Sequence, residues 1–393
     1  MHLRRLLEGG HPQRRHLDRH ALFGRLAGRH PLRARRAGRQ YRRAGVRLGP
    51  HRPDVPAGRP AHRVPEWVSR VLDLVDLSGD LGNGLPLRIG DDGTLIGTAY
   101  DSNGDFKFTY DTSSGALNRY YAPDQSSGSS FNRLFSNGDG CGDHATSSPS
   151  MQGFLLQSGV VTDLGTLGGP TSYANDCNAA GQVVGASNYG YPAINHAFFW
   201  ENGVMTDVGS LGGEGGNAAA INSLGQVTGG LETQPGYGNW THAFFYDHGV
   251  LTDLGTLGTG PDTPVAKNVS TGIAINEAGH VAGHTTTPDG LHGFLWDGQS
   301  MIDLGATPDG GPTQVNGMND ADVVVGFYGY DHRAGDSRAF AYLNGAITDL
   351  NTVAGPTDMV LWHASAVNNL GQIVGWGGTP GSGVQRAFLL NPR

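Results

Sequence analysis

From residue 71 onward the hydrophobic positions fall in short strings, each closed off by glycine, asparagine or aspartate. Strings rich in β-branched and aromatic residues between such turns predict β-strands. One string recurs: His196-Ala-Phe-Phe-Trp200, His242-Ala-Phe-Phe-Tyr246, His292-Gly-Phe-Leu-Trp296, then the looser Arg338-Ala-Phe-Ala-Tyr342 and Arg386-Ala-Phe-Leu-Leu390. Weaker copies are Gln152-Gly-Phe-Leu-Leu156 and Phe106-Lys-Phe-Thr-Tyr110. The central phenylalanines are residues 108, 154, 198, 244, 294, 340 and 388, spaced by 46, 44, 46, 50, 46 and 48. Seven copies at that regularity predict a repeat architecture.

Each unit carries further fixed parts. A turn pair and an Asp-containing strand follow the aromatic string, as in Asn202-Gly203 and then Val204 to Asp207; the matching acids are Asp163, Asp253, Asp303 and Asp349. Next comes a small-residue strand ending in Asn, a step to Gly, and an apolar strand, as in Ala219 to Gly229. The cognate turn residues are Asn178, Asn222, Asn276, Asn319 and Asn368, with a degenerate copy at Asn137 and a first one around Gly90. Four strands per unit of this length is the content of a propeller blade. Val71 to Asp76 resembles the Asp strand that closes each unit, and the last unit stops without one. The expectation is an all-β, seven-bladed β-propeller over residues 66–393, its N-terminal strand completing the last blade and leaving no exposed edge. A closed monomer follows.

Joined to Thr162-Asp-Leu-Gly-Thr-Leu-Gly-Gly169, the His-Ala-Phe string resembles the HAF-repeat proteins, a family of probable extracellular bacterial repeats. The resemblance is good over roughly 150–390 and looser over 71–149. It implies a secreted or surface location and carries no assigned chemistry.

Charge divides the chain. The net value of −8 averages two unlike parts. Residues 1–65 hold 17 Arg against three acids, a charge of +14, and read as a basic segment that is disordered or not native coding sequence. Residues 66–393 hold 10 basic and 32 acidic residues, a charge of −22, which makes the propeller a poor nucleic-acid binder. No apolar run reaches the roughly 18–20 residues of a membrane span, and no secretory signal is visible. With no P-loop, no Cys-x-x-Cys, no His-Glu-x-x-His and only two lysines, no nucleotide, haem or flavin is expected. Cys141 and Cys177 cannot staple a small scaffold. A bridge between them is open but not favoured, because Cys177 aligns with Ile221 and Ile275 as a buried apolar residue.

Repeated His and Asp residues read as holding each blade together through charge-assisted hydrogen bonds. Function is expected where the repeat breaks on the innermost strand. The fifth residue before each turn Asn reads Asn132, Tyr173, Asn217, Thr271, Gln314 and His363; the third supplies Asn175, Asn316 and Ser365. Side chains two apart share a strand face, so these nine predict a polar channel end for a small molecule or glycan. His363 is its only base titrating near neutrality, and Asp176 stands where sister blades carry Ala or Gly. Calcium has two candidate loops: Asp101, Asn103 and Asp105, with oxygen ligands at alternate positions, and Asp139 with Asp143. Two functions follow. One is a secreted or surface binding module using its channel mouth and loops. The other, by analogy of architecture, is a calcium-dependent hydrolase of lactones or esters, with the ion among Asn132, Asn175, Asp176, Asn217 and Asn316 and His363 as general base.

Overall fold

The computed structural model describes residues 72–392, apart from 82–83, 102–103, 122–129, 148–149, 191–193, 236–240, 259–267, 306–310, 330–336, 356 and 383. The basic segment at 1–65 lies outside the described residues, as does Asn103 of the first candidate calcium loop. The described chain forms seven four-stranded antiparallel sheets. Six are simple meanders, with innermost strands Leu85–Ile89, Ser130–Leu134, Ser172–Cys177, Gly216–Ile221, Ser270–Ile275 and Thr313–Met318. We number these blades 1 to 6. Blade 7 takes Val360–Val367, Ile373–Gly378 and Arg386–Asn391 from the C-terminus and its outer strand, Asp73–Asp76, from the start of the domain. Leu74 pairs with Leu390 and Asp76 with Phe388, the same register that sets Asp207 against Phe198 in blade 3. The chain is a seven-bladed β-propeller closed by its N-terminal strand.

Every blade is built round one cross-strand pair. The seven repeat phenylalanines, Phe108 to Phe388, are fully buried. Opposite each stands a glycine: Gly97, Gly142, Gly185, Gly229, Gly283, Gly326 and Gly375. A methyl group on Gly283 would lie 2.0 Å from the Thr271 carbonyl oxygen and 2.8 Å from the Phe294 ring. The missing side chain is therefore what lets ring and inner strand approach.

The repeated His and Asp hold neighbouring strands together, as expected. His196, His242 and His292 place Nδ1 2.8, 2.9 and 3.0 Å from Asp207, Asp253 and Asp303. In blade 2 His144 supplies the imidazole for Asp163, and in blade 7 Arg386 pairs with Asp76 of the closing strand. In blade 1 Arg119 lies over the Phe106 ring. These pairs are half-exposed, so each contributes no more than about 1 kcal/mol.

The turn asparagines do more than close turns. The Oδ1 of Asn222 accepts from the backbone N–H groups of Leu224 and Gln226, while its Nδ2 donates to the carbonyl oxygen of Asn276 in the next blade at 2.9 Å. Asn178, Asn276, Asn319 and Asn368 repeat that step at 3.0, 3.3, 2.9 and 2.9 Å, the last reaching Gly90 of blade 1. Blade 6 has Asp322 at φ 59° where sister turns have glycine, and its carboxylate accepts from Asn276 Nδ2.

Two expectations need correction. The cognate turn residue of blade 2 is Phe135, not Asn137: Phe135 N–H donates to Asp139 O as Asn178 N–H does to Gln182 O. Cys141 and Cys177 are joined in a disulfide linking blades 2 and 3, although Cys177 is also as buried as its aligned isoleucines. Blade 2 has no turn Asn to staple it onward, and the bridge stands in that place.

Gly283→Ala is expected to lower unfolding stability by about 1–3 kcal/mol, from overpacking against Thr271 and Phe294. The urea midpoint of the full chain checks this, with Gly79→Ala, at an exposed glycine without a positive φ, as comparison.

Candidate functional site

Each innermost strand carries an extra residue three positions before its turn residue: Leu87, Asn132, Asn175, Ala219, Ile273, Asn316 and Ser365; blade 7 has a second, Trp362. A β-bulge breaks the alternation of faces and re-aims the side chain that follows. The residues after the bulge all line an axial cavity of about 900 Å³. In blades 4 to 7 they are Ala220, Ala274, Gly317 and Ala366; in blades 1 to 3 they are Arg88, Arg133 and Asp176. Small residues on one side leave the room, and charge is concentrated on the other.

The charged group is short of partners. Asp176 is almost fully enclosed, its side chain 4% exposed, and Oδ2 accepts from the Ile221 N–H at 3.2 Å. Its Oδ1 lies 3.6 Å from Arg88 Nη2 and 3.7 Å from Arg133 Nε, near enough for attraction and too far for hydrogen bonds. The buried Nε of Arg133 has no hydrogen-bond partner. Burial first and the Arg88 charge second push the Arg133 guanidinium down to about 10, against the pull of Asp176. The arginine side chains remain 41% and 26% exposed, open to the cavity.

A second ring follows, one residue nearer the turns: Ile89, Leu134, Cys177, Ile221, Ile275, Met318 and Val367 border the same cavity. At the rim sit Asp91, Asp92, Glu277 and Asp320. Their oxygens accept from Asn369, Thr94, Ser223 and Glu277 backbone or side-chain donors, which ties them into the rim.

Of the residues singled out in the sequence, Asn132, Asp176, Asn316, His363 and Ser365 border this cavity; Tyr173, Asn175, Asn217, Thr271 and Gln314 do not. The bulge is the reason, since simple alternation ends there. Three of the asparagines act as staples. Asn132, Asn175 and Asn316 each donate Nδ2 to a carbonyl oxygen of the next blade, Ala174, Ala218 and Ala364, at 2.8 Å. Asn175 also donates to Asn217. His363 is buried, stacked on Trp376 at 4.1 Å and 3.8 Å from Phe327. Arg88 and Arg133 were missed. Counting back from Gly90 and Phe135, rather than Asn137, would have aligned both with Asp176.

Of the candidate calcium residues, Asp139 and Asp143 do not border the cavity. Asp101 and Asp105 belong to the strands flanking residues 102–103. Asp139 accepts from Asn137 Nδ2 and the Ser158 N–H. Asp143 accepts from the Ala174 N–H at 2.7 Å and Asn132 Nδ2 at 2.8 Å, a joint between blades 2 and 3. Burial pushes its carboxyl up to about 6 despite those bonds. Among the described residues no three His, Cys, Asp or Glu gather in a way that could hold a metal ion. No helix among them is long and apolar enough to cross a membrane.

No protein-family model matches the chain, and no curated protein matches its sequence. Among solved structures it is similar to the β-propeller domain of the Trilobed protease from Pyrococcus furiosus, described as an open velcro topology. The identity is 12%, over 68% of this chain and 81% of that one, with a TM-score of 0.42. It is also similar to TolB from Acinetobacter baumannii (10%, 80% of this chain and 65% of that one, TM-score 0.37). A third is the acylaminoacyl peptidase of Pyrococcus horikoshii (10%, 74% and 49%, TM-score 0.41). None of these likenesses bears on activity.

Because folded Asp143 holds its proton to about pH 6 and an unfolded aspartate only to about pH 4, the folded state binds more protons between those values. This group's contribution to stability is therefore full below about pH 4 and lost as pH rises through 6. Urea midpoints across pH 4–7 are expected to show a decline, on the order of 2 kcal/mol from this group, that Asp143→Asn flattens.

Proposed function

We propose that the propeller is a secreted or cell-surface binding module of the HAF-repeat type, which takes a small molecule into the mouth of its channel. The supporting observation is the break in the repeat at the axis. Four blades present Ala or Gly and three present Arg, Arg and Asp around a space of about 900 Å³. That volume suits a small ligand, and an apolar wall with a few convergent polar groups is the usual composition of such a site. The disulfide between blades 2 and 3 fits an oxidising compartment, in keeping with a location outside the cytoplasm.

A hydrolytic reading has less support. His363 is clamped between two aromatic rings, and the acid in the channel already answers two guanidinium groups. A divalent cation beside Asp176 would meet both of those like charges.

Ala220 borders the cavity and precedes Ile221, whose N–H meets Asp176, so Ala220→Trp is expected to place an indole against the charged group and obstruct it. In a thermal-shift screen of small molecules with the full chain, binders should raise Tm by roughly 2 °C or more. The shift should vanish in Ala220→Trp while the variant still unfolds cooperatively. Turnover of lactones or esters that needs calcium, stops with chelator and is abolished by His363→Ala would overturn this reading in favour of the enzyme.

A further inference from the structure

The chemistry of the cavity narrows its ligand. We propose that the channel binds an organic monocarboxylate with an apolar body, its carboxylate held by Arg88 and Arg133; this rests on the binding reading above.

Charge is the first ground. Two guanidinium groups face one carboxylate, Asp176, across 3.6 and 3.7 Å, so the cluster keeps one positive charge in excess and its fork-shaped donors are not saturated. A buried guanidinium nitrogen without a hydrogen bond is costly, and Arg133 Nε is one. A ligand carboxylate entering beside Asp176 would supply the missing acceptors in the bidentate geometry that arginine favours.

Stoichiometry is the second. Lys107 also borders the cavity, so its lining sets three cations against Asp176 and the rim acids Asp91, Asp92, Glu277 and Asp320. Five carboxylates against three cations repel polyanions at the entrance, and a single carboxylate head is the anion that suits the arginine pair. Free phosphate is thereby disfavoured. The third ground is the wall. Leu87 is exposed immediately before Arg88, and Ile273, Ile275 and Met318 border the cavity across the axis. Apolar surface next to a positive pair describes an acid with a hydrophobic tail or ring, whose body is buried while its head is held.

Trp376 borders the cavity and can report on occupancy by fluorescence. The test titrates the full chain with 4-phenylbutyrate, its methyl ester, 4-phenylbutylamine and inorganic phosphate, with calorimetry in parallel. The acid is expected to bind at least tenfold more tightly than each of the others. Arg88→Met should abolish that preference, and Arg133→Lys should weaken it while keeping the charge. Arg88 is the more exposed of the two, so its variant carries the test if replacing Arg133 impairs folding. Equal affinity for acid and ester, tighter binding of phosphate or amine, or an acid affinity indifferent to Arg88→Met would each overturn the proposal. In those cases any binding still blocked by Ala220→Trp leaves the binding reading standing. If no compound of any class binds the channel, both fall together.

Discussion

The fold depends on a belt of side-chain amides. An asparagine has an acceptor and a donor on one short stem, and here the two ends serve different blades. Oδ1 closes the turn of its own sheet, and Nδ2 reaches the backbone of the next. Because the turn is rigid, the donor is already aimed, so little side-chain entropy opposes the contact. Phe–Gly pairs make each sheet a dense wedge, and the belt fixes how neighbouring wedges meet. Five such steps run from blade 3 round to blade 1, and their placement near the axis leaves the channel walls free to vary.

The two blades without a belt asparagine are where the molecule is least repetitive. Gly90 and Phe135 occupy those positions, and other devices take over: the Cys141–Cys177 bridge, Asp143 held by Ala174 and Asn132, and the ion pairs of Asp176. A cross-link spanning 36 residues of chain is worth about 4 kcal/mol by loop entropy, more than one amide hydrogen bond. Charge in the channel and substitution in the belt therefore coincide in blades 1 and 2, and Asp176 of blade 3 lies beside them. A sector stapled by other means can carry arginines that strict repetition would not place there.

The architecture was legible in the sequence because it is periodic. Regular Phe spacing, recurring His-Ala-Phe strings and an orphan Asp strand near residue 73 gave seven sheets and their closure. The channel was less legible, for two physical reasons. A bulge is set by the pairing of two strands, and neither strand alone announces it, so a face assignment by twos failed beyond residues such as Asn175. Blade 2 has lost its marker, and Asn137, two residues beyond the true turn position, drew the alignment away from Arg133. Asp176 could be found because blade 3 keeps its asparagine. The disulfide could not be inferred from one pair of cysteines, since nothing in the spacing brings residues 141 and 177 to facing strands.

The amide belt also has a sense of rotation. Every donor points to the following blade and every acceptor to the preceding one, so the flanks of a blade are complementary but unlike. This is the head-to-tail contact of a heterologous ring, which ends only by meeting itself. The short strand at Asp73–Asp76 is what makes the chain meet itself. A molecule in which that strand and the step from Asn368 to Gly90 both came apart would offer a donor flank on one side, an acceptor flank on the other and a bare sheet edge between, the geometry of open-ended polymerisation.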